Sequence, residues 1–324
     1  MSSANPAQPA SQQNSRIGAG IALGLAASLA FATSGTFVRP LLEAGWTPGA
    51  AVFWRVLAAS VLLAPVGGWV MRGHWTQLRT EWPRVLAFGL LAVAMAQGMY
   101  FGAVSRMSVS VALLLEYMAP VALVILAWIR SRRAPSRLIL GGTAAAVAGL
   151  FCVLDLTGAR LDGLGVLFGM GAMIGAASYF AIGSSPSTLP ALALPALGLP
   201  IGAVALGLLI SVGVLPYSAP LVDVALLGHQ VAWWVPLSVV IVVATAAAYA
   251  LGLAGLPLMG ERLSSFVSLS EVLFAAGVAA LVLGEIPTSM QLLGGVGIVV
   301  GVVLIRLDGM AKSPALTEEL VALD

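Results

Sequence analysis

The stretch Ser108–Ile129, SVSVALLLEYMAPVALVILAWI, is largely apolar and carries one charged residue, Glu116, inside it. A helix crosses a bilayer core with about 20 apolar residues, so this stretch reads as one membrane span. A second stretch, Ser264–Glu285, SSFVSLSEVLFAAGVAALVLGE, has the same make-up around Glu271. Tyr100 and a short polar turn precede the first; Tyr249 and a short turn with Glu261 and Arg262 precede the second. RRAPSRLILGG follows the first and IPTSMQLLGG the second, each leading into a glycine-rich apolar run. The order of Tyr, turn, apolar run with a central Glu, Pro and Leu-Gly-Gly therefore occurs twice.

Reading outward, further apolar runs fall near 17–38, 48–71, 83–104, 107–129 and 135–154, then 163–184, 190–214, 231–253, 262–283 and 287–307. The expected fold is an all-α integral membrane protein of ten transmembrane helices, arranged as two inverted five-helix repeats. Five is odd, so the second unit enters the membrane with opposite topology, an arrangement that places a site at the midplane between rocking halves. The expected layout is a disordered tail 1–15, a first repeat 16–157, a second repeat 158–308 and a C-terminal tail 309–324. The prolines Pro190, Pro195 and Pro200 in the seventh run need neighbouring helices to satisfy the carbonyls they free.

Composition agrees. Hydrophobic residues make up 60% of the 324 and charged residues 9%, against about 25% charged in soluble domains. The formal charge of +2 comes without a broad basic face, which argues against nucleic acid as a partner. Cys152 is the single cysteine, and His74 and His229 lie in different polar loops, so no metal site is expected. The sequence has no nucleophile and base pair and no P-loop, which disfavours an enzyme or an ATP-driven pump; no cofactor is expected.

Basic residues stay on the cytoplasmic side of short loops. With the N-terminus inside, that side holds Arg16, Arg72, Arg79, Arg84, Arg130, Arg132, Arg133, Arg137, Arg262, Arg306 and Lys312, against Arg39, Arg106 and Arg160 outside. Both termini are therefore expected in the cytoplasm of a multi-pass cell-membrane protein.

Carboxylates at the bilayer centre cost at least ~2.5 to 3.5 kcal/mol, so Glu116 and Glu271 should face a cavity or a partner. Ser108, Ala112, Glu116 and Pro120 fall at four-residue spacing, as do Ser264 and Ser268, followed by Glu271, Ala275 and Ala279. Tyr100 and Tyr249 hold matching places, with Gln97 and Thr245 near them, and each ring suits a ligand of mixed polarity. Core packing fits those tyrosines equally. Tyr100, Glu116, Tyr249, Glu271 and Gln97 are the candidate substrate-binding residues. Arg55 is read as structural, paired with Glu116 where their depths agree, and Pro120 as a bend that frees the Glu116 carbonyl. The small-residue series Gly20, Gly24, Ser28, Ala32, Thr36 and Gly171, Gly175, Ser178 read as helix packing, and Trp46, Trp75, Trp233 and Trp234 as interfacial anchors.

The segments LLLEYMAPVALVILAWIRSRRAPSRLILGG and LGEIPTSMQLLGG, with TFVRPLLEAGWTPGAAVFWRVLAASVLL around Arg55, resemble the EamA domain of the drug/metabolite transporter superfamily. The resemblance runs from Ile17 to Leu307; its central Glu and following Ser-Arg-Arg are nearest to the threonine and homoserine exporter branch. Arg133 and Val272 depart from the family pattern, which often has an acidic residue and a Pro at those places. The resemblance implies a secondary transporter that exports amino acids or similar small metabolites by alternating access; Glu116, a carboxyl inside a span that can carry a proton, makes protons the expected coupling ion. An importer, a lipid-carrier flippase of the same fold and a non-transporting scaffold stay open as alternatives.

Overall fold

The computed structural model describes residues 10–154, 156, 161–284 and 287–311. Arg160, Lys312 and the outer parts of both expected tails, 1–9 and 312–324, lie outside the described residues. Chain order runs α1 (Ala10–Glu43), α2 (Pro48–Val70), α3 (Trp75–Ala87), a π-helical segment (Phe88–Met95), α4 (Ala96–Val104), α5 (Val109–Glu116), α6 (Ala119–Ser131) and α7 (Arg137–Val153). It continues with α8 (Gly163–Ser184), α9 (Ala193–Ser211), strands β1 (Val224–Leu226) and β2 (His229–Val231), α10 (Trp234–Ile241), a second π-helical segment (Val242–Ala247), α11 (Ala248–Ser268), α12 (Ser270–Leu283) and α13 (Ser289–Ala311).

Among the described residues, eight helices are long and apolar enough to cross a membrane, and Arg137–Val153 and Ser270–Val282 are shorter apolar helices. Large apolar side chains point outward on many helices, among them Val61, Ile129, Leu167, Leu208, Leu293 and Leu281. A surface of that kind needs lipid around it. This is a multi-pass, almost wholly α-helical membrane protein.

Local chemistry sets the helix starts. Thr47 caps α2 by accepting from the Ala50 amide, with Pro48 in the first turn, where its missing N–H costs nothing. Ser108, Ser136 and Asp162 cap α5, α7 and α8 in the same way. The first helix begins at Ala10, inside the stretch read as a tail, and the third rod begins at Trp75 rather than near residue 83. The expected loop between the seventh and eighth runs contains the antiparallel β1–β2 hairpin, so the fold is not purely α. At Gly260 (φ 76°, ψ 166°) the backbone leaves helical geometry, which separates the rod ending there from the one leading to Glu271.

Close helix packing rests on small residues. A Cβ on Gly149 of α7 would lie 2.5 Å from the Gly294 carbonyl oxygen of α13, and one on Gly175 of α8 would lie 2.6 Å from the Ala96 backbone of α4. Backbones that approach this closely gain dispersion contacts, the main attraction between helices in lipid.

The two ends of the bundle differ. At the hairpin end, Thr47 accepts from the Ser218 amide and donates to the Pro216 carbonyl, while Trp46 Nε1 donates to the Pro220 carbonyl at 2.8 Å. Trp46 is thereby buried against Trp233 and the hairpin, which corrects its reading as an interfacial anchor. Trp75 and Trp234 stay exposed.

Candidate binding cavity

A cavity of about 700 Å³ runs from the hairpin end to the middle of the bundle. Its rim takes Arg39 and Leu42 from α1, Pro48 from α2, Val104 from α4 and Val109 from α5; its deep end takes Phe31, Tyr179, Phe180 and Tyr249. Arg55, Gln97, Tyr100, Glu116, Pro120, Tyr249 and Glu271 all line it. The sequence-derived candidates thus meet in one space, although they come from separate helices.

Broken helices place the carboxylates. The chain between α5 and α6 turns at Tyr117 and Met118, with the Met118 amide bonded to the Leu115 carbonyl at 3.2 Å, so Glu116 ends one half-helix. Pro120 sits in the first turn of α6, a position where proline is well accommodated. Glu271 lies in the first turn of α12, just past the break at Leu269. Helix breaks at membrane depth are tolerated where they line a cavity, and both breaks here do.

The breaks also revise the expected helix faces. Ser108 is an N-cap and Ala112 is buried, while Val109, Leu113, Glu116 and Tyr117 face the cavity. On the other side Ser268, Glu271, Ala275 and Ala279 face it, whereas Ser264 donates to the Gly260 carbonyl at 2.6 Å. Thr245 is fully buried and donates to Val240 O at 2.8 Å inside the second π-helical segment, so it is helix-internal rather than beside Tyr249 in the cavity. Ala32 and Thr36 line the wall, while Gly20 and Gly24 take the α11 side chains Met259 and Val267.

The expected pairing of Arg55 with Glu116 is not formed. Arg55 is 9% exposed, its Nη1 donates to Ser34 Oγ at 2.8 Å, and its Nε has no partner. Among the described residues no carboxylate comes within the 4.0 Å of an ion pair, because Ser34 of α1 holds the guanidinium to its own side of the cavity. Glu116 and Glu271 line the same cavity. The Tyr117 hydroxyl is directed at the Glu271 carboxylate, whereas Glu116 and the Gln97 amide make no hydrogen bond among the described residues.

An aromatic group closes the deep end. Tyr249 meets Phe31, Tyr179 and Phe88 edge-on, with centroids 5.4, 5.8 and 6.3 Å apart. The Tyr179 hydroxyl lies against Gly252, where any Cβ would displace it. Ser34, Tyr117, Tyr179 and Phe31 were not singled out from sequence. Tyr117 had a signal in its place beside Glu116, but the others look like ordinary residues of apolar runs.

The cavity presents two carboxylates, the guanidinium of Arg55 with that of Arg39 at the rim, an amide, several phenols and a few hydroxyls on largely apolar walls. Such a set can hold a small charged molecule. Among the described residues no group of His, Cys, Asp and Glu is arranged to hold a metal ion.

Residues 18–155 match the EamA-like transporter family. A crystal structure of a protein superimposes with a TM-score of 0.72 at 17% identity, covering 91% of this chain and 99% of its own; it shares the fold. None of the curated proteins matches.

Proposed function

We propose that this EamA-domain protein is a secondary transporter that exports amino acids or similar small metabolites across the cytoplasmic membrane by alternating access. One observation carries the reading. The cavity is lined by residues of both halves of the chain, from Arg39 and Pro48 near the hairpin to Tyr179 and Tyr249, and its two carboxylates sit beside helix ends in corresponding parts of the chain. A cavity between the two halves of the chain is what alternating access by one half rocking against the other requires.

The architecture we infer is ten crossings in two inverted five-helix units. The first comprises α1, α2, the rod from α3 to α4, the broken pair α5 and α6, and α7. The second comprises α8, α9, the rod from α10 to Gly260, the broken rod ending in α12, and α13. A π-helical segment in the third rod of each unit and a break beside a Glu in the fourth support this pairing. π-Helical segments are uncommon and gather at functional sites, so their double occurrence is hard to ascribe to chance. Both termini lie in the cytoplasm and the hairpin end faces outward, on the arginine distribution. The resemblance of Glu116 and the following Ser-Arg-Arg to an amino-acid exporter branch supports amino acids as the substrate class, and a carboxyl at Glu116 that faces the cavity supports protons as the coupling ion.

Flux of an amino-acid panel in proteoliposomes, with and without an imposed proton gradient, tests this. Gradient-stimulated movement of one or more amino acids is expected; a preparation inert to every member sinks the reading. For orientation, a cysteine beside Lys312 on a Cys152→Ser background should resist impermeant thiol reagents in intact cells.

A further inference from the structure

Arg55 poses a problem that the protein alone does not solve. A guanidinium has five N–H donors in a planar fork, and burying it without an anion is costly. Here it is 9% exposed and, among the described residues, its one hydrogen bond goes to the neutral Ser34 hydroxyl. The two carboxylates that face it from α5 and α12 lie beyond ion-pair distance, with the cavity between. A buried Arg this close to two glutamates, held away from both by a hydrogen bond from another helix, is arranged to receive an anion from outside.

The opposite wall is the converse. Glu116 makes no hydrogen bond among the described residues, and Glu271 has only the Tyr117 hydroxyl directed at it. Those oxygens are acceptors without cationic partners. A molecule with a carboxylate at one end and an ammonium at the other satisfies both walls at once, and Phe31, Phe101 and Leu113 offer apolar surface for its side chain.

We infer that Arg55, fixed by Ser34, is the binding site for the carboxylate of a zwitterionic substrate whose ammonium group lies between Glu116 and Glu271. The inference rests on the transporter reading above and narrows its substrate to molecules carrying both charges, excluding simple amines and simple acids. It also moves Arg55 from a structural role to a specificity-determining one.

Calorimetric titration of the purified full-length protein tests it with two matched sets: L-leucine, isoamylamine and 4-methylpentanoate, and L-phenylalanine, phenethylamine and 3-phenylpropanoate. In at least one set the zwitterion should bind about tenfold or more tightly than either single-charge analogue, because each charged hydrogen bond contributes measurably. Arg55→Gln should lower zwitterion affinity by about tenfold or more and leave amine affinity unchanged, which a merely structural Arg55 would not do. Should Arg55→Gln fail to fold, Ser34→Ala should weaken the zwitterion several-fold, again sparing the amine. Equal binding of amine and zwitterion, equal losses for both in the variants, or no binding by either zwitterion overturns the proposal. Flux separates this from the broader reading: amines that move across proteoliposomes with Arg55→Gln as well as with the wild type leave a transporter without a carboxylate site.

Discussion

Arg84 at the end of α3 donates through Nη2 to the Ile182 carbonyl of α8 at 2.7 Å. The same guanidinium donates to Ser185 O and Pro186 O at 2.8 Å, and Glu81, one turn earlier, accepts from the Thr188 amide at 3.0 Å. The last carbonyls of a helix have no partner within it, so α8 ends on donors that α3 supplies. This latch lies at the end opposite the hairpin and joins the first half of the chain to the second. Arg84→Ala strips several partly buried carbonyls of their donors and should lower stability by about 2 kcal/mol, read as a fall in melting temperature in detergent. Arg84→Lys, with a single head group in place of the fork, should recover only part. An unchanged melting point in both variants refutes the latch.

The hairpin end makes a second joint between the halves. Thr47 caps α2, accepts from Ser218 and donates to Pro216, so one side chain serves both a helix start and a long-range contact. Thr47→Val removes all three and should cost about 1 to 2 kcal/mol. Limited proteolysis within the 216–230 segment should quicken in the same variant. Melting and cleavage rates equal to those of the wild type would show that the hairpin is held by its apolar contacts instead.

Much of this architecture is legible in sequence because apolar rods and central carboxylates are one-dimensional signals. Glu116 and Glu271 stand out as acids in apolar runs, and both line the cavity. What escaped depends on tertiary geometry. Four-residue spacing from Ser108 to Pro120 assumes one continuous helix, but Ser108 is the N-cap of a helix that ends at Glu116, and Val109 and Leu113 face the cavity where Ala112 is buried. Pro120 hinted at that break, whereas the one at Leu269 has no proline to announce it. The two π-helical segments are made of ordinary apolar residues and leave no compositional trace. Arg55 and Glu116 share the cavity without pairing, and the Ser34 hydroxyl that Arg55 bonds instead lies 21 residues away on another helix. Trp46 sits beside an apolar run like any anchor, yet a distant segment covers it.

The contact between α7 and α13 separates two glycines that sequence cannot rank. A Cβ at Gly149 would meet the Gly294 carbonyl oxygen at 2.5 Å and the Ile298 amide nitrogen at 2.8 Å, so backbone must move. At Gly141 the only neighbour within reach is the flexible Leu304 side chain, at 3.8 Å. Gly149→Ala should therefore destabilise by about 1 to 3 kcal/mol. Gly141→Ala should be neutral or slightly stabilising, since alanine restricts the unfolded chain. Melting temperatures of the two single variants decide this, and a reversed order would mean that the helices pack elsewhere than described.

The two carboxylates should differ in transport although they hold matching places. Glu116 ends α5 at a turn where Pro120, in the first turn of α6, lacks an N–H, so this half-helix can pivot about the acidic group. Its carboxylate makes no hydrogen bond among the described residues, which leaves it free to exchange a proton with the cavity. Glu271 stands in a continuing first turn of α12 with the Tyr117 hydroxyl directed at it, a setting that fixes its position. A carboxyl that carries the coupling proton must be neutral in one half of the cycle, because moving a charge through a closed, apolar state is expensive. Glu116→Gln is neutral throughout. It should lose gradient-driven export while retaining substrate exchange at saturating substrate, in which no net proton moves and Glu271 still holds the ammonium group. Glu271→Gln should instead weaken substrate binding and slow both modes together. Parallel measurements in proteoliposomes, with and without a pH gradient, distinguish the two. Full gradient-driven export in Glu116→Gln would remove it as the proton carrier, and equal loss of both modes in both variants would leave both glutamates as partners of the substrate's ammonium group with no part in proton coupling.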